Sequence, residues 1–268
     1  QAADAIEEIG GAVPAELPAK LYFELPLSWA EHELSNGHAL AAVDVLEQTD
    51  AAALSSEQAL AVRFLLAEAL FAAGKHEQAA EQFDWLAQQA EEQTPKPEWL
   101  AAIALRRGEL LVRARDIPAE RRWLLQAKQE HAEFARGYEF DYLLARCAVA
   151  QIEFDEAREL LQQVLDAPAA KGTEAAPRAA WMLGEVYFLQ RQYPQALEAY
   201  AQVARMNAFP DWQARARLQS AKCHELLGRA SQALADYQRA LQLSQQPDIQ
   251  QQATERVGAI ESLSPTLR

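Results

Sequence analysis

Apolar and polar positions recur with a helical period along most of the chain, and the recurrence is itself repeated. Ala180–Met206 superposes without a gap on Arg217–Leu243 at an offset of 37 residues, which puts Gly184 on Ala221, Arg191 on Gly228, Ala196 on Ala233, Tyr200 on Tyr237 and Met206 on Leu243. Self-similarity at a fixed period of this size marks a solenoid, whose units bury their apolar faces only by stacking on their neighbours. The helical pattern begins at Leu21, with Pro26 limiting or kinking the first segment. It predicts helix pairs at Trp29–Asn36 with Ala39–Gln48, at Ser56–Ala73 with His76–Ala90, at Trp99–Arg113 with Pro118–His131 and at Phe134–Gln151 with Asp155–Leu165. The two superposed segments form the fifth and sixth pairs, and Asp248–Leu263 forms a last helix. Ser55 with Gln58 and Asp248 with Gln251 have capping-box spacing, and Gly74 supplies a left-handed turn.

Aligning the six pairs places a small residue in the first helix at Ala30, Ala67, Gly108, Ala145, Gly184 and Ala221. Twelve residues later stand Ala42, Ala79, Glu120, Ala157, Ala196 and Ala233, followed four on by Leu46, Phe83, Leu124, Leu161, Tyr200 and Tyr237. This pattern resembles the tetratricopeptide repeat: small residues where paired helices touch, Gly at the turn, and a large residue behind. Pro26 and Glu120 depart from it. The resemblance implies an all-α, right-handed α-solenoid of antiparallel helix pairs, closed at its C-terminal end by a capping helix. Successive units are 37, 41, 37, 39 and 37 residues apart, longer than the family's usual ~34. Because three residues are close to one turn of about 3.6, the extra length in the 37-residue units is expected in the helices. The longer spacings fall to loops at Thr94–Glu98 and Ala167–Pro177.

In such superhelices the first helix of each pair lines a groove at positions three before, one after and four after the small residue. The resemblance thus assigns partner-binding roles to Phe64, Glu68, Phe71, Glu109, Tyr142, Arg146, Trp181, Glu185, Phe188 and Lys222, with Leu105, Val112, Val149, Leu218 and Glu225 completing the positions. An aromatic band threaded by charges suits a peptide or partner helix. The competing reading is that these aromatics pack between neighbouring first helices. The Lys and Asn arrangement with which chaperone-binding members clamp a C-terminal carboxylate is missing.

Half of the 268 residues are hydrophobic and only 10 are Gly, so the chain can build a substantial core. Ala, Leu, Gln, Glu and Arg dominate and favour helix. A formal net charge of −14 argues against nucleic acid and an anionic membrane surface, and no apolar run is long enough to span a bilayer. Cys147 and Cys223 occupy equivalent repeat positions, too far apart to bridge, and are expected as buried free thiols. HELSN at His32 and HELLG at His224 start like a zinc-hydrolase motif, but each lacks the second His one turn on. With no phosphate loop, no nucleophile elbow and no convergent polar cluster, neither cofactor, metal site nor enzymatic activity is expected.

Residues 1–20, with Gly10, Gly11, Pro14 and Pro18, read as a linker ahead of a solenoid over 21–263 and a short tail at 264–268. Gln1 opens with neither an initiator Met nor a signal-peptide pattern, as in a mature fragment. The expectation is a non-enzymatic adaptor holding a protein or peptide segment. Its rival is a self-associating or spacer module of a larger polypeptide. Similarity to bacterial envelope tetratricopeptide proteins, with high Ala and Gln and low Lys, favours the periplasm or cell envelope over the cytoplasm.

Overall fold

A computed structural model describes the backbone of residues 19–49, 54–91, 99–114 and 116–263. Among them are thirteen α-helices and no strand. They are α1 (Ala19–Ser35), α2 (Ala39–Glu47), α3 (Ser56–Ala72), α4 (His76–Glu91), α5 (Trp99–Ala114), α6 (Ile117–Glu130), α7 (Tyr138–Ala150), α8 (Phe154–Asp166), α9 (Ala175–Leu189), α10 (Tyr193–Val203), α11 (Pro210–Leu226), α12 (Ala230–Leu243) and α13 (Pro247–Leu263). They fall into two compact units, Gln1–Arg115 and Asp116–Arg268. The expected linker lies outside the described residues up to position 18, as do Thr94–Glu98 and the tail.

Local chemistry sets the helix ends. The Ser55 hydroxyl accepts from the Gln58 amide at 3.3 Å while the Gln58 side chain takes the Ser55 amide at 3.0 Å, so the predicted capping box forms. Five intra-pair turns share one device. Gly37, Gly74, Ile152, Arg191 and Gly228 take positive φ, and the amide after each reaches back to a carbonyl in the last turn, as from Lys75 to Leu70 at 2.9 Å and from Glu153 to Ala148 at 2.8 Å. Ile152 and Arg191 do this without being glycine.

The core follows the repeat register. The small first-helix residues, the residues twelve on and the large residues behind them are buried in all six repeats, Glu120 included. In the first unit Ala67, Leu70, Phe83 and Leu86 pack with Val43 and Leu46. In the second, Ala180, Ala196, Tyr200, Val203 and Cys223 form one cluster, and Leu218, Tyr237, Ile249, Ala253 and Ile260 belong to another. First helices of successive pairs touch directly, α1 with α3 in the first unit, α9 with both α7 and α11 in the second. That contact is what makes each unit a solenoid.

Several expectations change. α1 runs through Pro26, which is buried inside it. α7 starts at Tyr138 because the Gly137 amide turns back onto the Phe134 carbonyl at 2.8 Å. The Ala167–Pro177 loop contains a 3-10 turn at Pro168–Ala170 and ends where α9 begins at Ala175. The fifth repeat, whose two helices have 15 and 11 residues, gains its length in the connection that follows them, residues 204–209. α13 begins at Pro247, so Asp248 sits within its first turn. In the same turn Gln250 folds back and donates to the Leu241 and Ser244 carbonyls at 2.9 and 2.6 Å.

Candidate functional site

In the first unit, α3 presents Phe64, Glu68 and Phe71, and α5 presents Glu109. A residue that repeat reasoning passed over organises them. Arg106 binds both Glu68 oxygens through Nε and Nη2 at 2.8 Å, and bonds Glu109 through Nη1 at 2.8 Å. Its guanidinium lies 5.0 Å from the Phe71 ring centroid, and that ring meets His76 edge-on at 5.6 Å. Burial opposes the charge on Arg106, but the bonds and charges of Glu68 and Glu109 outweigh it and hold the guanidinium above its ordinary pKa. Phe64 and Phe71 are half-buried against the core, while Leu105 is fully buried and offers no surface.

In the second unit the band is carried by α7, α9 and α11. Tyr142 is buried, with the Arg178 guanidinium 4.1 Å from its ring centroid. Arg146 stays half-buried on the next turn, close enough to Glu120 for their charges to interact. Trp181 packs against Trp212 with centroids 5.9 Å apart, and Phe188 meets Tyr193 edge-on at 5.6 Å. Glu185 accepts from the Tyr200 hydroxyl at 2.6 Å. Burial raises its pKa above the carboxylate range even though Tyr200 and Lys222 favour the charged form. Lys222 donates to Gln252 at 3.2 Å, Glu225 is clasped by Arg256 at 2.5 and 3.1 Å, and Leu218 is buried. The carboxylates of the band are therefore engaged within the chain, and its aromatics are half core and half surface.

The tetratricopeptide-repeat sequence profile matches residues 142–209 and, overlapping them, 182–247. Residues 142–247 carry tetratricopeptide repeats. Solved structures with the same fold include a Rap protein complexed with Competence and Sporulation Factor, at 14% identity and TM-score 0.69, covering 99% of this chain and 81% of that one. Another is the signal transduction ATPase with a tetratricopeptide repeat sensor from Pyrococcus horikoshii, at 13% identity and TM-score 0.70, covering 91% of this chain and 41% of that one. A third is pilF of Pseudomonas aeruginosa, at 14% identity and TM-score 0.59, covering 88% and 98%. Comparison with curated protein sequences gives no match.

Both cysteines of these repeats are sequestered. Cys147 and Cys223 are free and buried; burial, followed by Glu120 for the first and Glu185 for the second, pushes each thiol up to about 12. His224 is shifted down by burial, and its Nε2 is 3.6 Å from Asp236. His32 stacks on Trp29 at 5.6 Å. No group of three potential metal ligands exists among the described residues, and none of their helices is long and apolar enough to cross a membrane.

Proposed function

We propose that the chain is a non-catalytic protein-interaction scaffold whose first-helix faces hold an extended or helical segment of a partner. The observation that carries this reading lies on α9 and α11. Trp181, Phe188 and Lys222, at positions the repeat pattern assigns to a groove, keep part of their surface open, while Trp212 and Tyr193 pack against the two aromatic rings. Aromatics whose rotamers are already locked lose little entropy when a partner docks, which is why such residues dominate binding energy.

Glu68, Glu109 and Glu185 serve the surface by shaping it, since their charges are met by Arg106 and by the Tyr200 hydroxyl. Phe64 and Phe71 provide the apolar contact in the first unit; Tyr142 does so in the second, beneath Arg178, with Arg146 beside it. The test compares proteins captured from the native host by the whole chain and by a Trp181→Ala, Phe188→Ala variant with unchanged helical circular dichroism. Loss of the captured set is expected. An unchanged set would remove the reading.

A further inference from the structure

We infer that a cleft at the start of α11 takes the cationic side chain, Lys or Arg, of a partner segment. The cleft holds about 440 Å³, and its lining includes Glu174, Phe209, Asp211, Trp212, Arg215 and Gln246. That volume suits one long side chain at the low end of ligand pockets.

Pairing the charges around it leaves one carboxylate over. Asp211, in the first turn of α11, answers the positive end of the helix and accepts from the Ser244 hydroxyl at 2.5 Å. Arg215 bonds Gln246 at 2.6 Å and has Asp248 at 3.8 Å. Glu174 accepts the Trp212 indole N–H at 2.7 Å, and no cation among the described residues forms an ion pair with it. A carboxylate fixed at the edge of an indole, beside Phe209, offers an ammonium or guanidinium both an ion pair and aromatic faces. Arg215 itself lies 6.0 Å from the Trp212 centroid, a guanidinium of this chain already beside that ring.

Trp212 packs on Trp181, so the cleft adjoins the face described above; the inference rests on that reading only in taking the ligand to be part of a protein. The experiment titrates the full chain with the N-acetyl amides of arginine, lysine, glutamate and norleucine, and with spermidine. It follows the proton–nitrogen correlation signal of the Trp212 indole, identified by its loss in Trp212→Phe. A saturable shift is expected with the arginine and lysine amides and not with the other two. Glu174→Gln keeps an acceptor for the indole N–H while removing the charge, and should weaken binding about tenfold without moving the thermal midpoint. Equal responses to all four amides, no saturable response to the cationic pair, a response to spermidine alone, or undiminished binding in Glu174→Gln would each overturn the proposal. None of these results bears on partner capture through Trp181 and Phe188, so the two readings fail separately.

Discussion

The Tyr200 ring occupies the space that a side chain at position 184 would need. A Cβ built on Gly184 would stand 2.7 Å from Tyr200 Cζ and closer still to Cε1 and Cδ1. From that position the tyrosine hydroxyl reaches Glu185, the next residue of α9, at 2.6 Å. One missing methyl thus lets α10 lean the Tyr200 ring onto α9 and engage the Glu185 carboxylate.

Gly184→Ala should therefore destabilise the chain, although Gly to Ala within a helix ordinarily gains roughly 0.5–1 kcal/mol. Overpacking against the Tyr200 ring should cost about 1–3 kcal/mol. Denaturant unfolding gives the value, and adding Tyr200→Leu should recover much of the loss. A single variant as stable as the parent would show that the ring gives way freely.

Glu120 stands where the other five repeats have Ala, and neither of its buried carboxylate oxygens meets a partner of hydrogen-bonding geometry. Burial raises its pKa, against the opposing pull of the Cys147 thiol and Arg146. A carboxyl raised on folding contributes fully at low pH and loses that contribution as pH climbs from the unfolded value through the folded one. Glu120→Ala should be more stable than the parent at neutral pH, by a few degrees in Tm. The advantage should shrink towards pH 4. Melting curves across that range check the sign, and an advantage that grew on acidification would contradict it.

Among the described residues Arg106 is the one cation that bonds both Glu68 and Glu109. Removing it in Arg106→Ala leaves two half-buried carboxylates without their donor and should cost about 1–3 kcal/mol. Arg106→Lys should recover only part of this, because a single ammonium cannot reproduce the two-pronged contact with Glu68. Hydrogen exchange should show the loss of protection in α3 and α5; protection lost elsewhere instead would mean that Arg106 acts by another route.

Ile152 is a β-branched residue at φ 64° and 73% exposed, at the turn position where three sister repeats have Gly. Left-handed backbone costs such a residue roughly 1–2 kcal/mol, and so exposed a side chain returns little packing. Ile152→Gly should raise stability by about 1 kcal/mol less the entropy that Gly adds to the unfolded chain. Equilibrium unfolding decides the sign, and a loss of stability would show that Ile152 makes a contact worth keeping.

How much of this was legible in the sequence follows from the range over which each feature is decided. Ala67, Ala145, Ala196 and Ala233 could be assigned to the core because helix contacts recur at a fixed interval and only small residues fit them. Gly74 and Gly228 could be assigned to turns because left-handed backbone is a local demand. Arg106 and Glu174 gave no such sign: each makes its deciding bond to a residue 38 positions away, about one repeat along the chain.

The sequence by itself determined the repeat register, the helix pairs and the small-to-large packing code, because those depend on periodic side-chain volume. What the residues at the positions assigned to a groove touch was settled only by the packing of the helices. The same spacing that named Glu68, Glu185 and Lys222 as equivalent left open that Arg106 clasps the first, Tyr200 holds the second and Gln252 accepts from the third. A repeat fixes where a side chain starts, but its partner is chosen by the rotamers and charges of the neighbouring helix, and those are not periodic.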